Sequence, residues 1–172
     1  TLPDVKVEAD AERTSRETYQ AVTTRIGKGN QELRDVPQSV TVVTERLISD
    51  RNLDTLKETL HSTAGISFLA AEGGEEDIRL RGFSLQASGD IFVDGMRDPA
   101  FYERDTFNYD RLEVLRGSAS MLFGRGSTGG VVNQVTKLAF LDTASVVNLT
   151  AGTGKFGRAT GDFNIQTSDS AA

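Results

Sequence analysis

Apolar positions along this chain come in short bursts, separated by polar or glycine-bearing stretches. Residues 1–34 hold no sustained period. Val5 and Val7 alternate briefly in TLPDVKVEA and the pattern then fades, which predicts a mobile N-terminal arm with one short extended piece. Order is expected from Asp35. Val40, Val42 and Val43 predict a strand, with Pro37 tolerated just before it and Thr44 placed to cap a short helix through Ile48. Leu53, Leu56 and Leu60, three and four apart, predict a helix that stops at Gly65.

Further along, strands are predicted around Ile66 and Phe68, at Ile78 and Leu80, over Ile91–Val93, at Leu112 and Val114, and over Val131–Thr136. Asp94-Gly95 reads as a tight turn, and LAAEGGEED, SLQASGD and MRDPAFYERDTF read as loops. The fold class is therefore α+β: a small mixed sheet with short helices and long loops. After Lys137 the character changes. Ala159, Gly161, Phe163 and Ile165 alternate with Thr160, Asp162, Asn164 and Gln166, so one face of a strand is apolar and the other polar. Such alternation suits a soluble sheet, and it also suits a barrel strand with lipid outside and a wet lumen inside. Two strands close no barrel and a lone hairpin is marginal in water, so the natural protein is expected to continue past residue 172.

Composition narrows the function classes. The 172 residues carry a formal net charge of −6, which disfavours nucleic acid as the main partner. With no cysteine and a single histidine, His61, thiolate and multi-histidine metal centres are excluded. His61 is read as the last turn of a helix, where a cation is mildly favoured. No apolar run approaches the roughly 20 residues of a membrane helix. The acids Glu72, Glu75, Glu76 and Asp77 lack the spacing of a calcium loop and read as a solvated run. No serine stands in a nucleophile-elbow setting, so neither catalytic residues nor a bound metal are expected.

One motif asks for a decision. FGRGSTGGVVN contains a literal G-x-G-x-x-G at Gly124, Gly126 and Gly129, followed by Gly130. A dinucleotide site needs a strand before the glycines and a helix after them. Here the preceding GSASMLFG reads as a helical turn and the following VVNQVT as a strand. The order is reversed, so the glycines are expected to serve close packing rather than phosphate binding.

Several segments in order, DVPQSVTVVTERLI, IRLRGF, IFVDGMRD and RLEVLRGSASMLFGRGSTGGVVNQVTK, resemble the plug domain of TonB-dependent outer-membrane receptors. RDTFN and the glycine segment look most like the branch that takes up ferric catecholate siderophores. The resemblance is strong over about residues 35–137. It implies three regions: an arm over 1–34, a plug over 35–140, and the first hairpin of a barrel of about 22 strands over 141–172. It implies import of a ferric siderophore as transported ligand, with no intrinsic cofactor, and an outer-membrane location with the arm facing the periplasm. The implied partners are TonB, the siderophore and outer-membrane lipid. Receptors for haem, cobalamin or hydroxamate siderophores share the plug, and a soluble binding or signalling module is the rival from another class.

The resemblance also implies roles for residues. Asp4, Val5, Lys6, Val7 and Glu8 are the candidate TonB box, a segment captured as an added β-strand. Arg97, Phe101, Tyr102 and Arg104, with Gln86 on the neighbouring loop, are candidate ligand contacts: cations and flat rings for an anionic aromatic iron complex. Arg81 and Arg116 match plug arginines that pair with glutamates on the barrel wall, with Glu113 or Asp110 as the alternative partners inside the plug. Gly124, Gly126, Gly129 and Gly130 are expected to pack tightly against the wall and neighbouring strands.

Overall fold

The computed structural model describes residues 15–70, 76–98 and 102–168. Thr14–Lys137 form one compact unit, and the residues from Leu138 onward belong to another.

The first unit is built on a five-stranded mixed sheet. In chain order its elements begin with a small ladder, β1 (Thr23–Thr24) and β2 (Gln31–Glu32). They continue with β3 (Ser39–Thr44), α1 (Glu45–Asp50), α2 (Leu56–His61), β4 (Ile66–Ala70), β5 (Glu76–Leu80) and β6 (Phe83–Ser84). Then come α3 (Leu85–Ser88), β7 (Ile91–Val93), β8 (Met96–Arg97), β9 (Tyr109–Arg116), α4 (Ser120–Phe123) and β10 (Gly130–Thr136). The main sheet runs β3-β9-β10-β7-β8, with β10 and β7 parallel and the other pairs antiparallel. β4, β5 and β6 make a separate three-stranded sheet.

The apolar residues predicted for the strands meet on one face. Val43, Leu112, Val114, Val132 and Ile91 pack with Ile48 of α1, Leu56 and Leu60 of α2, Ile78 and Leu80 of β5, and Leu85 of α3. Each such side chain, taken fully out of water, contributes about 2 kcal/mol of burial free energy before entropy is subtracted. α2 is shorter than the leucine spacing suggests. It starts after a reciprocal capping box, in which Thr55 Oγ1 accepts from the Glu58 N–H (3.2 Å) and Glu58 Oε2 accepts from the Thr55 N–H (3.2 Å), leaving Leu53 outside the helix. Thr44 does precede α1, but its hydroxyl makes no capping bond.

The opposite face of the sheet is also covered, which the alternation at Leu112 and Val114 does not foretell. Phe92, Leu115 and Val131 pack there with Ile26, Ala119 and Phe123, and the Phe92 and Phe123 rings lie 4.4 Å apart. The cover comes partly from the segment expected to be a mobile arm. That expectation is corrected for residues 15–34. Ile26 is 1% exposed, Thr24 is fully buried, and the Arg25 N–H donates to Glu113 Oε1 at 2.7 Å. The segment holds on through one isoleucine and its backbone, a grip that leaves no trace in hydrophobic periodicity.

Burial on both faces places charge inside the sheet. Glu113, 0% exposed, also accepts from Asn133 Nδ2 (3.2 Å), and Arg111 Nε stands 3.4 Å from its Oε1 and 3.5 Å from Asp110 Oδ2. A buried carboxylate is stable only with such partners.

The second unit is a hairpin of two nine-residue strands, β11 (Ala144–Gly152) and β12 (Phe156–Asn164). The register pairs Val147 with Gly161, Leu149 with Ala159 and Ser145 with Phe163 on one face. On the other it pairs Asn148 with Thr160 and Thr150 with Arg158. The Asn164 side chain ties residues 140–142 to the strand end, accepting from the Phe140 N–H (3.2 Å) and donating to the Phe140 (2.7 Å) and Asp142 carbonyls.

Candidate functional site

The glycine segment is organised around an internal anion. Asp90, 1% exposed, ends the turn before β7. Its two oxygens accept from the Ser127 N–H at 2.8 Å each, Oδ1 accepts from the Ser127 hydroxyl at 2.8 Å, and Oδ2 accepts from the Ser88 hydroxyl. The loop thus directs an N–H group at a carboxylate of its own chain. Asp90 is a structural centre that the sequence reading missed. The available signal was an acid at the mouth of an apolar strand, with serines on both loops that meet it.

The four glycines do different things. A Cβ on Gly129 would collide with the Leu80 carbonyl and stand 3.0 Å from Phe83 Cβ, and one on Gly130 would collide with the Leu115 carbonyl. Space is short at these two positions because the chain crosses the backbones of β5 and β9. A Cβ on Gly126 would stand 3.1 Å from Asp90 Oδ1. Gly124 is a correction to the packing expectation. It has open space around it, and what needs glycine there is the backbone, at φ 81° and ψ −156°.

Arg97, at the end of β8, also serves this loop. Its guanidinium donates to the carbonyls of Ser88 (2.9 Å), Phe123 (3.3 Å) and Arg125, and lies over the Phe92 ring at 5.6 Å. Arg97, a candidate ligand contact, stays exposed while these bonds brace α3 and α4. Arg104 is more enclosed. It is 3% exposed, its Nε donates to Asp98 Oδ2 at 2.7 Å, and its Nη atoms donate to the Tyr102 and Asp98 carbonyls at 3.3 Å. Burial demands such neutralisation, so the cation becomes a support.

What Arg104 supports is Tyr102. The guanidinium lies 4.5 Å from the ring centroid, and the phenol donates to the same Asp98 oxygen at 3.0 Å. The ring stays 51% exposed. Partial burial, then the bond to Asp98, push the Tyr102 phenol above its ordinary value, and burial does the same for Tyr109 nearby. Below this group Leu56 N–H bonds the Arg104 carbonyl (2.9 Å) and Thr106 Oγ1 bonds the Leu53 carbonyl (2.6 Å), which straps the loop to the start of α2. Gln86, on α3, is half-buried, and its Oε1 is shielded without a donor among the described residues. Tyr102 and Arg104 therefore meet at Asp98, while Arg97 joins the helix that carries Gln86. Phe101 lies outside the described residues, as does the candidate segment Asp4–Glu8.

Arg116 ends β9. Its Nε donates to the Ala64 carbonyl (3.0 Å) and its Nη1 to Thr41 Oγ1 (2.7 Å). Its pKa is lowered, first by burial and then by the positive charge of Arg81. Arg81 is exposed in a left-handed turn at φ 54°. Among the described residues neither arginine has a carboxylate partner, and Glu113, the alternative inside the unit, is taken by the Arg25 N–H, Asn133 and Arg111. Two guanidiniums thus stand together with no countercharge among the described residues.

The hairpin carries the last feature. Leu149 (79% exposed), Val147 (62%) and Phe163 (64%) share the open face, while Thr160 and Asp162 are half-buried and Asn164 is buried. Along β12 apolar side chains point outward and polar ones are partly or fully buried, the inverse of a soluble sheet; on β11 Asn148 is exposed and Val146 shares the polar face with Asp162.

The sequence model for the TonB-dependent receptor plug domain matches residues 32–131. The chain belongs to this family. A probable TonB-dependent receptor of Bordetella pertussis, BfrD, is 37% identical over 95% of this chain, and the ferric-pyoverdine receptor PbuA of Pseudomonas sp. M114 is 38% identical over 74% of it. The chain spans 21% and 16% of the lengths of these relatives. The closed-form crystal structure of the ferric-catecholate import receptor Fiu from Escherichia coli K12 superposes with a TM-score of 0.79 at 29% identity, covering 88% of this chain and 22% of that one. The α+β plug fold read from the sequence is thereby the fold observed. Among the described residues no helix is long and apolar enough to cross a membrane, which leaves strand crossing open.

Proposed function

We propose that this chain is the plug, with the first barrel hairpin, of an outer-membrane receptor that imports a ferric siderophore under the drive of TonB. The observation that carries the membrane reading is the hairpin. Nine-residue strands with Leu149, Val147 and Phe163 outward match the length and polarity of a strand between lipid and a wet lumen, for which about 9–11 residues are needed. In this reading residues 141–172 open the barrel and 35–140 fill it. Residues 1–34 carry the arm, with Asp4–Glu8 as the segment paired by TonB. Arg81 and Arg116 meet carboxylates of the barrel wall, which supply the countercharge that the described residues lack.

The ligand is a ferric siderophore of the catecholate type, and it lies against Tyr102, with Phe101 and Gln86 as further contacts. Arg104, Asp98 and Arg97 hold those contacts in place. A flat exposed ring backed by a cation suits an anionic aromatic complex. Relatives named for pyoverdine and catecholate receptors keep the alternative of another siderophore class open to test. No covalent step is involved: ligand affinity differs between two plug states, and that difference biases exposure of the arm.

The experiment is iron uptake by the full-length receptor with a panel of catecholate, hydroxamate and mixed siderophores, combined with deletion of Asp4–Glu8. Catecholate uptake is expected to lead. The deletion should abolish transport and spare binding. A receptor that transports normally without Asp4–Glu8 would sink the capture assignment, and one that takes up no iron complex would sink the substrate class.

A further inference from the structure

We infer that Glu45 is a releasable latch for the root of the N-terminal arm. The inference rests on the reading of residues before Ser15 as the captured segment.

Ser15 is 1% exposed, although it sits at the edge of a polar, weakly patterned stretch. Its hydroxyl donates to the Asp110 carbonyl (2.9 Å) and accepts from the Glu45 N–H (3.3 Å). The next residue, Arg16, places Nε 3.1 Å from Glu45 Oε2. The other oxygen, Oε1, receives Lys137 Nζ at 2.9 Å. One carboxylate at the β3–α1 junction thus holds the arm root and the last residue of the unit together. The three side chains are only 16–18% exposed, so solvent screens the cluster weakly.

Two details suit release rather than permanent closure. The Arg16–Glu45 contact is within ion-pair range but lacks the alignment of a hydrogen bond. Lys137, in turn, stays beside Glu45 when Arg16 leaves. Removing the sole partner of a shielded carboxylate is strongly unfavourable, but here a second cation remains. Lys137 itself is held independently: its N–H bonds the Asn108 carbonyl (3.0 Å) and its ammonium lies 5.0 Å from the Phe107 ring centroid. Glu45 therefore keeps a cation beside it if Arg16 moves away.

The geometry makes a prediction in which the two cations act in opposite senses. Hydrogen–deuterium exchange over residues 15–24 is measured on the full-length receptor in detergent, without TonB. E45Q and R16Q should each speed exchange about tenfold, and raising salt on the unmodified receptor should do so more mildly. K137Q should leave exchange unchanged or slow it, because Arg16 becomes the sole counter-charge. Unchanged exchange in R16Q and E45Q overturns the latch. Equal acceleration by K137Q and E45Q overturns it as well, since the cluster would then be a general staple. Because TonB is absent, the outcome is independent of the capture assignment, which the deletion of Asp4–Glu8 tests separately.

Discussion

Asp90 and Ser127, 37 residues apart, are joined by both the backbone N–H and the hydroxyl of the serine, with every contact at 2.8 Å. The pair pins the glycine loop to the start of β7, and Val132 N–H adds a bond to the Asp90 carbonyl (3.0 Å). An apparent nucleotide motif is thereby occupied from within.

Asp90→Ala should consequently destabilise the plug by about 2–4 kcal/mol, because it strands buried donors and opens a void. Ser127→Ala, which keeps the backbone bond, should cost only about 1 kcal/mol. Thermal unfolding of the plug within the full-length receptor, followed by exchange of the β7 and β10 amides, checks the order. Equal effects would show that the hydroxyl carries the contact.

Gly130→Ala should prevent normal assembly or cost more than about 3 kcal/mol, since a methyl group there meets the backbone of β9. Gly124→Ala meets no neighbour and should cost about 1–3 kcal/mol from backbone strain alone. Yield and melting temperature of the two variants separate steric from conformational need. A Gly130→Ala receptor as stable as the parent would contradict the close approach described above.

Tyr102→Ala should weaken binding of the true siderophore by about tenfold or more, whereas Tyr102→Phe should lose little, because the ring rather than the phenol faces outward. Arg104→Gln should weaken binding too, accompanied by faster exchange at Tyr102. Direct binding titration with the ferric complex decides; unchanged affinity in Tyr102→Ala would move the ligand contact elsewhere.

Alkaline pH should loosen this apex. The phenols of Tyr102 and Tyr109 are raised above the ordinary 10.0 by burial, so the folded chain keeps protons that the unfolded chain gives up. Their contribution is fully present below pH 10.0 and is lost as pH rises toward their folded values. Melting temperature should be flat through neutral pH and fall above pH 10, less steeply in Tyr109→Phe. A fall unchanged by that substitution would assign the transition to other groups.

How much of this was legible beforehand follows from range. Apolar spacing located β3, β9 and the hairpin, and a run of valines located β10, because strand preference is carried by local residue type whatever later covers the strand. The leucines of α2 gave the helix but not its start, which a side-chain cap sets. Ile26 and Ser15 were illegible: one or two buried residues in a polar stretch make no period. Arg97 and Arg104 looked like offered charges because a sequence shows the type of a side chain and not its partner.

The sequence by itself determined the strands, the order of the plug motifs and the two-faced hairpin. These depend on local spacing and backbone preference, which each segment carries alone. Only the tertiary structure decided that Asp90 fills the glycine loop, that Glu113 holds the arm segment, and that Arg104 faces inward to Asp98 while Arg81 and Arg116 stand without a carboxylate among the described residues. Those outcomes depend on which distant groups share a buried volume, and electrostatics there is settled by neighbours rather than by order along the chain.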